Sequence, residues 1–361
     1  MEFSVKNIVP KSIFKDVEQI ASTVLPWEKL RDKTLLITGA NGFISYYLVA
    51  ALMLRNDRYQ DNIKVIGVVR NACKAEKKFG DLIKRSDLKL IVQDICDRVE
   101  TQESVDYVIH AASQASAYYF ENDPVGTIDA NLSGTSNVLK LAKDKKAIST
   151  LFISSLKVYG QVTDGSSTLK EENIGYVDQT DYKNCYAIGK RASETLCASY
   201  CKQYDMNVKI ARPSYIYGPS SLDDDRVWAQ FIANVVKNES ILLKSNGAAY
   251  RSFCYVTDTV TALLLILLNG ANATPYNIAA DHSNTTIRNF AREAVKVFPE
   301  RNLTLSFANP RDEEEPDLTK FTVTPEILDH TRINELGWRA EVTLTEGIKR
   351  SVETIEEIVK A

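Results

Sequence analysis

The stretch TLLITGANGFISYYLVA, Thr34–Ala50, decides how this chain is read. Thr34–Thr38 is a short apolar run of strand character, Gly39 to Gly42 a tight turn, and an apolar helix opens at Phe43. Glycines at 39 and 42 allow a backbone to approach a pyrophosphate closely. The unpaired N–H groups that begin the following helix point at the same charge. Glycine also serves ordinary turns. What sets this pair apart is its position between a strand and a helix, and it predicts a dinucleotide site.

Around that turn the chain has 361 residues, 44% hydrophobic and 25% charged, as in an ordinary globular protein large enough for two packed units. A formal charge of −3 gives no reason to expect nucleic acid. The basic run Lys140–Lys146 reads as a solvated helix end. Cys73, Cys96, Cys185, Cys197, Cys201 and Cys254 lack metal-ligand spacing, and His282 and His330 have no converging acids or thiols, so no metal site is read. The N-terminus carries Asp16, Glu18 and Glu28 and no apolar leader, so reduced thiols in a cytoplasmic protein are expected. The longest apolar run, Val260–Leu268, is half a membrane span, and no membrane association is expected.

Short apolar runs at Ile63–Val69, Leu88–Gln93, Tyr107–Ala111, Ser149–Ser155 and Val208–Arg212 alternate with helix-permissive segments, including long helices over Asp123–Lys143 and Asn184–Gln203. The first helix is expected over Phe43–Leu54. This alternation predicts an α/β protein, a doubly wound parallel sheet with helices on both faces. Residues 1–30 form an extension whose Ser12–Val24 has amphipathic helical spacing. Residues 31–220 read as the dinucleotide-binding domain and 221–361 mainly as a smaller mixed α/β lobe over a cleft. Within it, helices are expected at Val227–Val236, Asp258–Leu268, Ile287–Phe298 and Leu344–Val359. Short strands are expected at Ile241–Leu243 and Phe253–Val256, and a return strand to the main sheet at Pro275–Ile278. Pro310 and Pro316 mark loops.

Tyr186 and Lys190 stand four apart on a predicted helix and share one face. An ammonium beside a phenol favours phenolate and is expected to lower its pKa, so that the tyrosine can take a proton from an alcohol as the carbinol carbon gives up hydride. Ser155 ends an apolar strand, where a ligand at the carboxyl edge of a parallel sheet would lie, and its hydroxyl can reach the same oxygen. Ser155, Tyr186 and Lys190 are the candidate catalytic residues.

The ordered pieces TGANGFI (Thr38–Ile44), HAAS (His110–Ser113), DPVGTIDANLSGTSNVL (Asp123–Leu139), SSLKVYG (Ser154–Gly160), YAIGK (Tyr186–Lys190), RPSYIYGP (Arg212–Pro219) and RSFCYVTD (Arg251–Asp258) resemble an extended short-chain dehydrogenase/reductase of the NAD-dependent epimerase/dehydratase family. The likeness is greatest to UDP-glucuronate decarboxylases, through GKRASETLC, DDDRV and RSFCYVTD. It implies a Rossmann-type fold, a Ser–Tyr–Lys triad, transient oxidation of a sugar nucleotide at C4, and a homodimer built on the two long helices. It further implies that Gly39, Asn41, Gly42, Phe43, Ile44, Arg70, Asp94, Ile95, Ala111, Ala112 and Ser113, with Tyr186 and Lys190, line the cofactor. Tyr118, Lys157, Tyr215, Arg226 and Arg251 are the corresponding substrate candidates.

Several positions qualify that reading. No acid follows the second strand to hold a ribose 2′-hydroxyl; Arg70 stands there, which favours NADP, whereas the family resemblance favours NAD. Asp94 reads equally as an adenine acceptor or a helix cap. Tyr118 and Tyr119 read as a cover for the sugar or as packing residues, and Arg226 as a phosphate ligand or a partner of Asp223–Asp225. Asn131 and His110 read as ordering residues. Where the family's decarboxylases and dehydratases carry an acid, this chain has Lys157 after Leu156, and Tyr215 replaces an asparagine. Loss of that acid favours epimerisation of a UDP- or CDP-linked sugar. UDP-glucuronate decarboxylation, 4-keto-sugar reduction and a non-catalytic nucleotide-binding homologue follow in that order.

Overall fold

The computed structural model describes residues 3–314 and 324–360. Two short helices, α1 (Val5–Ile8) and α2 (Lys11–Ser22), precede β1 (Thr34–Thr38), α3 (Phe43–Tyr59), β2 (Lys64–Val69), α4 (Ala72–Phe79), β3 (Leu88–Val92) and β4 (Tyr107–His110). There follow α5 (Ala117–Asn122), α6 (Pro124–Asp144), β5 (Ser149–Ile153), α7 (Cys185–Tyr204), β6 (Val208–Pro213), β7 (Tyr215–Tyr217), α8 (Val227–Val236), β8 (Ile241–Leu243), β9 (Tyr250–Tyr255) and α9 (Val256–Asn269). The chain closes with β10 (Pro275–Ile278), β11 (Asn284–Thr286), α10 (Ile287–Lys296), β12 (Leu305–Phe307), α11 (Thr331–Glu335) and α12 (Leu344–Lys360).

Seven strands form one parallel sheet in the order β10-β6-β5-β4-β1-β2-β3. The order reverses between β1 and β4, where Thr38 pairs with His110, and a ligand crevice opens at such a switch point. Every residue of β1 and β5 is buried, as expected of strands covered on both faces. The return strand Pro275–Ile278 does join this sheet, beside β6. The expected strand and helix starts hold to within a few residues. Helix α3 runs further than expected, to Tyr59, and Ser154 and Ser155 leave the sheet instead of ending β5.

The smaller sheets are β11-β9-β7 and β12-β8, and they form the C-terminal lobe with α8, α10 and α12. Tyr217, Phe253, Tyr255 and Phe290 meet edge-on or tilted in its core. Helix α9 is buried around nearly its whole circumference, because α2 and α3 cover one side and β5 and β6 the other. That packing accounts for the apolar run. Among the described residues no helix is long and apolar enough to cross a membrane.

The N-terminal helix is tied to the C-terminal helix α12 and to β9. Pro10 supplies no side-chain cap for α2, and Glu357 of α12 accepts from Lys11 N and Ser12 N at 2.8 and 2.9 Å instead. Asp16 is buried, which raises its pKa, and it accepts from the Tyr255 hydroxyl at 2.7 Å and Arg350 Nη1 at 3.1 Å. The thiols of all six cysteines are free, and Cys197 packs with Leu139, Phe152, Val208 and Ile210. Pro310 opens a 3₁₀ turn, and Pro316 lies outside the described residues.

Candidate active site

Two cavities run end to end along the carboxyl edge of the sheet and share Gly39, Gly42, Ala111 and Ser113 in their walls. The turn at their junction is shaped for close approach. Gly39 has φ +64°, and a Cβ there would meet Ala112 Cα at 3.0 Å. Gly42 caps α3 without any side-chain hydrogen bond to the helix N–H groups, which leaves the positive end of α3 free for an anion. Below the turn, the Thr38 hydroxyl accepts from Ala111 N and Ala112 N, each at 3.1 Å, and bonds His110 Nδ1 at 2.7 Å. Burial, with Lys190 adding to it, pushes His110 down to about 3, so this imidazole is a neutral ordering group. Asn131, also buried, accepts from the Ser113 hydroxyl at 3.0 Å.

One cavity is lined by Asn41, Arg70, Asp94, Ile95, Ala112 and Ser113. Arg70 is exposed, and no acidic side chain stands in its place at the end of β2. Asp94 lines this cavity; no helix follows it, so it caps none, and its Oδ1 instead accepts from Cys96 N at 2.9 Å in a tight turn. The walls suit a dinucleotide: a turn without Cβ atoms, an uncapped helix end, and polar groups spaced along the trough.

The second cavity gathers Phe43, Ile44, Ser155, Lys157, Tyr186, Lys190, Tyr215, Arg226 and Arg251. Ser155 is held by a 3₁₀ turn, Leu156–Tyr159, in which its Oγ accepts from Lys157 N at 3.2 Å. Gly160 closes the turn at φ +63°, where a Cβ would strike Tyr176 O at 2.4 Å. Behind it, Arg212 bonds Glu194 through Nε at 2.9 Å and Nη2 at 2.6 Å, tying β6 to α7. Lys190 Nζ donates to Ile153 O at 2.8 Å and lies 5.7 Å from the Tyr186 ring centre.

The expected depression of the Tyr186 pKa is absent. Burial raises it, and a hydrogen bond with Ser155 and the charge of Lys157 offset this only in part. Lys190 is instead the group brought toward neutrality: burial lowers it to about 7. A phenol with no water to receive its charge stays protonated unless a cation is close, and Lys190 points past the ring to the main chain.

Three further placements correct or resolve the sequence reading. Tyr118 is 62% exposed, stacks edge-on against Tyr119 and lines neither cavity; Phe120 does line the second cavity, its ring on that of Tyr186 with centres 5.0 Å apart. Arg226 pairs with Asp224, Nε to Oδ1 at 2.9 Å, and lies over Trp228 while still reaching the cavity wall. Lys157 does not lack an acid. Its Nζ donates to Glu326 Oε1 at 2.6 Å and to the Tyr215 hydroxyl at 2.9 Å. Glu326 escapes sequence reading because nothing around Pro325 marks it, whereas the aromatic run at 118–120 does signal Phe120 without saying which ring turns inward.

The model of the NAD dependent epimerase/dehydratase family matches residues 35–279. The chain is 31% identical over 317 residues to UDP-glucuronic acid decarboxylase 6 of Arabidopsis thaliana, covering 87% of this chain and 86% of that one. Identity to UDP-glucuronic acid decarboxylase 5 of the same plant is 32% over 319 residues, at the same coverage. Among solved structures, a UDP-glucose 4-epimerase of Thermotoga maritima superposes with TM-score 0.74 at 23% identity, over 90% of this chain and 99% of that one. An epimerase of Methanothermobacter thermautotrophicus does so with TM-score 0.76 at 18% identity, over 97% of each. These structures share the fold. The chain belongs to the NAD-dependent epimerase/dehydratase family and is an NAD(P)-dependent enzyme of that nucleotide-sugar family.

Proposed function

Taking that membership as the premise, we propose that the chain is a UDP-glucuronate decarboxylase. It would oxidise the sugar at C4, release C6 as carbon dioxide and restore the C4 hydroxyl. The observation that carries this reading is the pair of cations, Lys157 and Arg251, in the cavity that Ser155 and Tyr186 also line. A hexuronate brings a carboxylate to such a place, where a neutral hexose brings only a hydroxymethyl group. The names of the curated relatives support the same reaction. Epimerisation ranks first on sequence because Lys157 replaces an acid, and that argument weakens once Glu326 stands beside Lys157.

A bound nicotinamide dinucleotide supplies the acceptor for hydride from C4 and later returns it. In this proposal Gly39, Asn41, Gly42, Phe43 and Ile44 hold its pyrophosphate side, Arg70, Asp94 and Ile95 its adenosine, and Ala111, Ala112 and Ser113 the floor between. NAD is preferred, with NADP close behind because of Arg70. Once ionised, Tyr186 Oη takes the C4 hydroxyl proton, with the Ser155 hydroxyl on the same oxygen. The resulting ketone is β to the carboxylate, so the C5–C6 bond can break with its electron pair moving to the C4 oxygen. Ser155 and Tyr186 then donate to that oxygen, and a proton replaces C6 at C5. Arg251, whose Nε is buried without a hydrogen-bond partner, and Arg226 are assigned to the substrate's anionic groups.

Incubation with UDP-glucuronate and NAD, followed by mass spectrometry, should give a UDP-pentose. Conversion to an isomer of unchanged mass would replace this reading with the epimerase. We further propose a homodimer through α6 and α7, which pack on each other and leave Leu196 and Tyr200 half-buried. Sedimentation at micromolar concentration should show a dimer; a monomer alone would refute it.

A further inference from the structure

Two hydrogen-bond donors and one guanidinium ion pair converge on the Glu326 carboxylate. Oε1 accepts from Lys157 Nζ at 2.6 Å, and Oε2 accepts from the Tyr215 hydroxyl at 2.7 Å and lies 3.3 Å from Arg251 Nε. The main chain delivers Glu326 to this place. Its carbonyl accepts from Ser252 N at 2.9 Å, and Arg251 and Glu326 form a parallel β-bridge. On the following residues, Ile327 O accepts from Leu169 N at 2.7 Å and Leu328 N donates to Ser252 Oγ at 3.0 Å. A surface ion pair held by two flexible side chains is worth little. Here one partner is fixed at the backbone on two sides.

The cluster favours the charged forms of Lys157 and Glu326. Burial works against the Lys157 ammonium, but Tyr215 and Glu326 outweigh it and hold its pKa above the ordinary lysine value. Burial likewise raises the Glu326 carboxyl, and Lys157, Tyr215 and Arg251 more than reverse this. Two cations therefore face one carboxylate, beside the groups assigned to proton transfer. The cluster already binds a carboxylate, and it belongs to the protein.

We propose that Glu326 is a specificity-determining residue that shares Lys157, Tyr215 and Arg251 with the carboxylate of a uronate substrate, so that the substrate is selected by its charge yet held loosely enough to lose it. The proposal rests on the decarboxylase reading above. As the C5–C6 bond breaks, its electron pair moves to the C4 oxygen and C6 departs as neutral carbon dioxide. Negative charge thus leaves the neighbourhood of the two cations. Cations gripping that carboxylate undivided would stabilise the bound substrate more than the transition state and slow the step. Glu326 divides their hold.

The test uses Glu326→Gln, which keeps the shape and removes the charge. Binding is measured by calorimetry in a Tyr186→Phe background, where turnover is suppressed. Adding Glu326→Gln to that background should tighten UDP-glucuronate binding about tenfold and change UDP-glucose binding by less than about twofold. With Tyr186 intact, Glu326→Gln should lower KM and kcat together, each about tenfold. Lys157→Met is the opposite arm and should weaken UDP-glucuronate about tenfold while sparing UDP-glucose. Equal changes for both nucleotides, or no tightening of UDP-glucuronate, would overturn the proposal and leave a purely structural ion pair. If the wild type never decarboxylates UDP-glucuronate while Glu326→Gln still tightens it selectively, the assigned reaction fails and the carboxylate-sharing role survives. If decarboxylation occurs without that selectivity, only the role of Glu326 fails.

Discussion

Tyr186→Phe is expected to lower turnover of the nucleotide sugar about 10²–10⁴-fold, with the folded state and nucleotide binding retained. In the proposed mechanism the lost atom is the one that exchanges a proton with the C4 oxygen, which Ser155 also bonds. The ring itself packs on Phe120 at 5.0 Å, and phenylalanine preserves that contact. Lys190 Nζ donates to Ile153 O at 2.8 Å and lies 5.7 Å from the Tyr186 ring centre. The measurement is single-turnover reduction of the bound cofactor, followed by absorbance beside a calorimetric Kd. Wild-type turnover by the variant would remove Tyr186 from the mechanism. Activity limited by the tyrosine should also rise with pH, since burial holds the free phenol above its ordinary value.

Gly39→Ala should weaken cofactor retention by about 100-fold or more. A non-glycine residue at φ +64° costs about 1–2 kcal/mol by itself. The added methyl would also sit 3.0 Å from Ala112 Cα and 3.1 Å from Ala112 N, which are backbone atoms just past a buried strand end and cannot rotate away. Relief therefore requires the turn to shift, and with it the start of α3 that faces the anion. The protein should purify without cofactor and bind added NAD weakly by fluorescence titration, while its thermal unfolding midpoint falls only modestly. Undiminished NAD binding would show that the turn does not cradle the pyrophosphate.

Much of this architecture is written locally. Apolar runs of four to six residues in β1, β2, β4 and β5 are strands wherever they find partners, and Gly39 to Gly42 can only be a turn between one and a helix. Helix α8, β8 and β10 fall on the residues their patterns predict, and Tyr186 and Lys190 share a helix face because four residues make just over one turn. Differences cluster at ends. Helix α3 continues to Tyr59, and in this extra length Arg55 meets Asp61 at 2.6 Å and the face of Trp27 at 4.6 Å.

What the amino-acid order determined by itself was therefore the sheet, the dinucleotide turn and the spacing of Ser155, Tyr186 and Lys190, all set by neighbours within a few turns or strands. Tertiary structure alone decided the electrostatics. It turned Phe120 inward and Tyr118 outward, and buried Tyr186 so that its pKa rises. It also carried Glu326 across 169 residues of chain to Lys157. The physical reason is the range of the forces involved. Periodicity and turn geometry act along the backbone, whereas desolvation and Coulomb interactions depend on which side chains the finished fold brings within a few ångströms.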